Sequence, residues 1–336
     1  MAQVSLFCAL AVLCAAPLPA QGLWETFSND YPANCLAWTR ENSNPVIAPS
    51  GSSWKARWTG SPELLSIADR LLVYYRGNGS LPRALNKQYH DRIGVAEVTA
   101  IGAMEFAFRD LNNGSPVVDI GAPGDFDDGG ARDPAAVWFK GEVHLYYTGI
   151  SGGRASIGLA RSPNGERFTR VGKILEGRSP DVVAVGDTLY LVYQKPETAG
   201  YKVHLALSTD GLKFYPLGQS AVFEGVRDKW DAKSITSPRI WRSGDWFFML
   251  YGGSADRVDE PEYFGLARSR DLIRWERHPG NPIFAAGAHA TADGGAIWFP
   301  AIVEAGSWFV LLYEGSPGRV AWDMNAGICM AWVPKR

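Results

Sequence analysis

Three carboxylates in this chain stand beside a proline in a pattern that could serve chemistry. Glu63 follows Pro62, Asp133 precedes Pro134 in Arg132-Asp133-Pro134, and Asp181 follows Pro180 in Arg178-Ser179-Pro180-Asp181. Arg239 follows Pro238 in the same way, and Trp298-Phe299 precede Pro300. Two carboxyl groups in unlike surroundings, one protonated and one ionised, can serve as a general acid and a base. Asp133 with either Glu63 or Asp181 could fill those roles, with neighbouring Arg keeping one of them ionised. The competing reading is that these charges pair with one another around a structural channel. Glu176 reads as a loop residue.

A repeat must bring these positions together. In residues 130–149 (GARDPAAVWFKGEVHLYYTG) two apolar arms flank a Lys-Gly turn, the pattern of a β-hairpin. A Pro followed thirteen residues later by a Tyr recurs five times: Pro62/Tyr75, Pro134/Tyr147, Pro180/Tyr193, Pro238/Tyr251 and Pro300/Tyr313. A third strand follows in residues 158–162 (GLARS), 204–208 (HLALS) and 265–269 (GLARS), then a turn, an aromatic and a fourth short strand. Four strands in a meander make a propeller blade. The fifth unit lacks its fourth strand, and residues 38–48 (WTRENSNPVIA) match 275–285 (WERHPGNPIFA) in register. Pairing the two chain ends closes the ring and leaves no exposed edges.

The fold expected is therefore all-β: a five-bladed β-propeller of four-stranded antiparallel blades, closed by the N-terminal strand. The blades fall at about 54–120, 126–176, 177–224, 230–285, and 293–336 with 34–48, in one domain over 21–336. Residues 43–48 should pair with the strand at 327–332. Composition agrees, with 46% hydrophobic residues, 37 Gly and 13 Trp suiting many short strands and turns. A net charge of −2 without a basic run gives no electrostatic footprint for nucleic acid. Residues 4–16 are apolar and uncharged before Pro17-Leu18-Pro19-Ala20, which reads as an export signal at 1–20, too short to span a bilayer. A secreted or periplasmic monomer, not membrane-bound once the signal is removed, is expected.

Seven residues before the Pro stand Asp127, Asp231 and Asp293, with Lys55 at the equivalent place in the first unit. Their recurrence marks a structural role, such as capping a backbone turn. The run at 125–129 lacks the Glu a calcium loop needs, and the five His are scattered, so no metal and no cofactor is expected. Cys35 and Cys329 remain in the exported chain. Alignment with the fourth unit places both in the outer hairpin of the closing blade, where a disulfide could pin the ring.

In a propeller the first strand of each blade lines the channel, and residues on either side of Pro share a strand face. Glu63, Asp133, Asp181 and Arg239 would then surround one funnel with Trp298 and Phe299 as an aromatic wall. In its five hairpins, Gly-Leu-Ala-x-Ser strands, Asn-Pro pattern and Arg132-Asp133-Pro134 motif, the chain resembles the five-bladed propeller glycosidases (arabinanases, xylosidases, invertases, levansucrases) and the related mannoside phosphorylases. The resemblance implies a transition-state-stabilising Asp or an acid at Asp133. It would also put Asp before the first Pro, where this chain has Ser61, and Glu two residues before the third Pro, where it has Arg178.

The function expected is a carbohydrate-active enzyme hydrolysing a glycosidic bond in an oligo- or polysaccharide. The alternatives are a phosphorylase and a propeller that binds glycan without cleaving it. Arg76, Arg132, Arg178 and Arg239 exceed what the carboxylates need, which points to an anionic ligand: a uronic acid or sulfated sugar ahead of phosphate.

Overall fold

The computed structural model describes residues 21–51, 53–80, 89–195, 200–319 and 325–336. The expected export signal lies outside the described residues. Five antiparallel four-stranded meanders form the blades, the fourth with an added two-residue strand, Phe284–Ala285. Their first strands are Trp58–Ile67, Gly130–Phe139, Arg178–Val185, Ser234–Ser243 and Ala296–Ala305. These five strands touch one another in ring order, the fifth returning to the first. Apolar side chains fill the gaps between neighbouring blades, for example Leu72, Val95 and Leu145 between blades 1 and 2.

The ring closes as expected, with one difference of extent. Thr39–Arg40 pairs with Gly327–Pro334, setting Thr39 opposite Trp332 and Arg40 opposite Ala331, and Ile47 bridges Ile328. Pairing thus begins before residue 43. Between the two contacts the Asn44 side chain stands in for backbone: its Nδ2 donates to Met330 O at 2.9 Å and its Oδ1 accepts from Met330 N at 2.7 Å. Asn281 does the same for Leu266, at 2.9 Å in both directions. A side-chain amide offers the same donor and acceptor as a peptide, which is why Asn precedes Pro in both places.

The Pro-to-Tyr spacing also has a geometric cause. Each first strand carries a bulge in which two residues face one on the second strand. Ser61-Pro62 stand opposite Tyr75 and Asp133-Pro134 opposite Tyr147, and the other three blades repeat the arrangement. Proline brings no N–H, so it fits a bulge. The residue before it takes a positive φ in all five blades: 48° at Ser61, 53° at Asp133, 46° at Ser179, 48° at Ser237 and 51° at Phe299.

Behind the bulge the Tyr is buried and clamped. Tyr147 donates to Asp127 at 2.8 Å and Tyr313 to Asp293 at 2.8 Å, with Arg170 and Arg40 from the fourth strands bonded to the same carboxylates. Asp231 binds Arg277 at 3.3 Å in blade 4. Blade 1 inverts the charges: Lys55 lies 3.0 Å from the Tyr75 hydroxyl and 2.5 Å from Asp110, which takes the arginine's place. The recurrent carboxylates therefore anchor structure, and Asp231 also accepts from the Val226 N–H at 3.3 Å.

The expected disulfide is corrected: Cys35 and Cys329 are free thiols. Cys35 lies in a short helix, Ala33–Leu36, where its Sγ donates to Pro282 O at 3.2 Å. Cys329 sits within the third strand of blade 5 against Gly315. The register match carried Cys35 onto a turn that the chain replaces with that helix.

Asn44→Ala would leave the Met330 peptide without its partner amide. The expected loss is about 1–3 kcal/mol of unfolding free energy in urea, against less than about 0.5 kcal/mol for the exposed neighbour Ser43→Ala. Equal effects would show that closure does not rest on Asn44.

Candidate active site

The positive φ before each Pro turns Ser61, Asp133, Ser179, Ser237 and Phe299 into the channel. Asp133 is the one carboxylate among these five, and the neighbouring blades meet it on both sides. Ser61 Oγ lies 3.2 Å from Asp133 Oδ1, and Ser179 Oγ lies 3.4 Å from Oδ2. Arg132 Nε stands 3.8 Å from Oδ2. Asp133 is buried, at 1% exposure, whereas Arg132 and Arg178 above it keep 27% and 14% of their side chains in solvent.

A second carboxylate completes this layer, and it was not foreseen from the sequence. Glu314 accepts from the Ser61 backbone N–H at 2.9 Å, lies 3.3 Å from Ser61 Oγ, and pairs with Arg76. One hydroxyl thus touches both Asp133 and Glu314, so their nearest oxygens are at most two hydrogen-bond lengths apart. Gly60 makes room, because a Cβ there would meet Glu314 Oε2 at 2.3 Å. Glu314 directly follows the recurrent Tyr. The equivalent residues are Arg76, Thr148, Gln194 and Gly252, so a comparison of that position across the repeat could have found it.

Burial alone would raise the Asp133 carboxyl, but Arg132, Arg178 and Arg76, with a hydrogen bond from Thr148, outweigh it and hold it below the usual range. At Glu314 burial wins: against the pull of Arg76, and with the Asp133 charge adding to it, the carboxyl is pushed up to about 7. The layer therefore holds one carboxylate that stays ionised and one that is half-protonated near neutral pH.

Glu63, Asp181 and Arg239 do meet, but in a separate layer two residues further along the first strands. Arg239 lies 3.5 Å from Glu63 Oε2 and 3.4 Å from Asp181 Oδ1, and donates to Pro180 O at 3.3 Å and Pro62 O at 3.2 Å. Its guanidinium also covers the Phe299 ring at 5.2 Å. Glu63 accepts from Ala136 N at 3.2 Å, and Asp181 accepts from Ile240 N. The bulge separates what simple alternation would have joined in one funnel. Arg239, on blade 4, is buried and its polar contacts are spent on blades 1 and 3, unlike the mouth position expected for it.

The remaining expected residues have these places. Arg76 is buried beneath the mouth on Glu314. Arg178 pairs with Asp259 at 2.7 Å and donates to the Tyr201 hydroxyl at 2.6 Å. Trp298 is buried, and its indole N–H bonds to Asp259 O at 2.5 Å. Phe299 belongs to the channel ring. Glu176, expected in a loop, instead ends the fourth strand of blade 2, Thr169–Glu176, exposed and tied to Lys173 and Ser156.

Burial pushes Glu63 up to about 8 and Asp181 up to about 6, each against Arg239. With Glu314, three carboxyls have folded-state values above their unfolded ones, so the native state binds more protons than the unfolded state. Their contribution is fully present below about pH 4 and is lost as pH rises through the range of about 6 to 8. Buried His144 and His278, held below the usual imidazole range, act in the opposite sense below about pH 6.5. Unfolding free energy should therefore fall between about pH 6.5 and 8, and Glu63→Gln should flatten that slope. A stability independent of pH across this window would contradict the buried, proton-holding layer.

No family profile and no curated protein matches the sequence. Solved structures do match in fold. A β-1,2-mannobiose phosphorylase from Listeria innocua, bound to β-1,2-mannobiose, is 11% identical, with 88% of this chain and 96% of that chain covered at a TM-score of 0.66. A glycosyl hydrolase from Bacteroides ovatus is 16% identical over 87% of this chain and 93% of that chain, at 0.64. A structure from the mannoside phosphorylase family containing hydrolases that target β-1,2-mannosidic linkages in Candida mannan is 16% identical over 87% and 93%, at 0.62. The chain thus has the five-bladed propeller fold found in glycoside hydrolases and mannoside phosphorylases.

Proposed function

We propose that the protein cleaves a glycosidic bond, using Asp133 and Glu314 as its carboxyl pair. The observation that carries this reading is the Ser61 hydroxyl, which lies between one carboxylate held ionised and another raised to about 7. Two carboxyls whose surroundings drive their titrations apart are suited to opposite roles. Asp133 would act as base or nucleophile, and Glu314, protonated at neutral pH and below, as the acid to the leaving oxygen. This takes the second role from Glu63 and Asp181, whose oxygens are turned on Arg239 and the backbone.

Glu314 also has a structural task, since it caps the bulged Ser61 N–H. Thr148 performs that task for Ser179 N at 2.8 Å between blades 2 and 3, so a neutral hydroxyl suffices for it. A buried carboxylate where Thr would serve is costly, and chemistry supplies the reason for keeping it. The fold supports the same class of reaction by analogy. The apolar stretch at 4–16 supports export, and Arg132 and Arg178 at the mouth favour an acidic sugar. A propeller that binds glycan without cleaving it is the competing reading, favoured by the burial of Asp133 and Glu314.

Asp133→Asn should cut turnover on a glycoside panel by about 10²–10⁴ while the fold is retained. Wild-type turnover should fall as pH rises through about 7, where the Glu314 acid ionises. Glu314→Gln should be slow and should lose that alkaline limb. Glycan binding by the wild type with no cleavage would assign the protein to the binding class.

A further inference from the structure

A cavity of about 540 Å³ opens beside the mouth between blades 2 and 3, large enough for a monosaccharide unit. Arg132, Arg154, Arg178 and Lys195 line it against a single carboxylate, Glu176, with Tyr201 at one side. Arg132 and Arg178 connect it to Asp133, since both lower that carboxyl by their charge. Arg178 is held by Asp259 at 2.7 Å and by the Tyr201 hydroxyl, while Arg132 has looser partners. Arg132 Nη1 is 3.9 Å from Asp91, and the Nε atoms of Arg132 and Arg178 are buried without a hydrogen-bond partner among the described residues.

Among the described residues, the other two cations have less to hold them. Lys195 ends the second strand of blade 3, Thr188–Lys195, and its ammonium rests 5.6 Å from the centre of the Tyr193 ring. Arg154 begins the third strand of blade 2, Arg154–Ser162, and is exposed. The charge within its range is Glu176, which is already taken by Lys173 and Ser156. Asp259 offsets Arg178, but Arg132, Arg154 and Lys195 leave the cavity with more positive than negative charge among the described residues. Guanidinium groups present paired donors to carboxylate, sulfate and phosphate alike.

We propose that this cavity is a subsite for an oxyanion positioned next to the bond held at Asp133, carried either on the sugar or as free phosphate. The proposal rests on the glycoside reading for what lies beside it, but the binding is measurable without turnover. Arg154 and Lys195 supply its charge from outside the reacting layer, and Glu176 opposes it.

Calorimetry on the full chain would compare one monosaccharide in neutral, uronic and sulfated forms, together with inorganic phosphate. The anionic forms should bind at least about ten-fold tighter than the neutral sugar, a difference of about 1.4 kcal/mol. Arg154→Ala with Lys195→Ala should remove that preference, while Glu176→Gln should strengthen binding, a gain that misfolding cannot imitate. Preference for sugar-borne anions places the oxyanion on the substrate, and tighter binding of inorganic phosphate alone identifies the free ion as its source. Equal binding of neutral and anionic forms, with phosphate not bound, would overturn the proposal, as would a preference unmoved by either variant. Retained anion preference in an Asp133→Asn protein without turnover would separate this subsite from the catalytic reading.

Discussion

The channel mouth depends on the two-residue bulge at each X-Pro step. A residue before proline normally keeps to extended backbone, and an L-residue with positive φ costs about 1–2 kcal/mol. Here the cost recurs in five blades, four of them with Ser or Asp and one with Phe. It is sustained because the strand cannot relax: one side is held by the neighbouring first strands, and the other by a buried Tyr opposite the bulge. In four blades a charged residue in the preceding loop and an opposite charge from the end of the blade flank that Tyr. In return the bulged residue projects toward the axis, and its N–H is free to cross to the previous blade. Ser61 uses it on Glu314 and Ser179 on Thr148.

The bulge also divides the channel in depth. Residues before Pro form a hydroxyl-rich ring around Asp133, and residues after it form the Glu63–Arg239–Asp181 cluster. One guanidinium between two carboxylates, with two proline carbonyls as further acceptors, ties blades 1, 3 and 4 across the axis. Buried ion clusters of this kind contribute little net stability once desolvation is counted, but an unpaired member would be very costly. The cluster therefore fixes which side chains meet at the centre, in the layer next to Asp133.

Much of the fold was legible in the sequence because its signals are periodic. The Pro-to-Tyr spacing is the bulge and its clamp seen in one dimension, and the Asn-Pro match is an amide completing a strand ladder at two places. The site was less legible, for physical reasons. Glu314 reaches Ser61 across 253 residues of sequence, through the contact that closes the ring. Positive φ at Ser61 or Asp133 leaves no trace where the residue is not Gly. The assumption that residues on either side of Pro share one face failed because it ignored the bulge. The disulfide failed because a register match extended into a segment that folds as a helix.

We propose that a scissile glycosidic oxygen reaches Asp133 and Glu314 beneath Arg132 and Arg178. The most direct measurement is a crystal structure of the Asp133→Asn protein with an oligosaccharide bound. A glycosidic oxygen is expected within hydrogen-bonding distance of residue 133 or Glu314, with Arg132 and Arg178 drawn aside onto the sugar. A glycan resting on the rim, with both carboxyl positions still covered and in contact only with Ser61, Ser179 and Arg76, would contradict it.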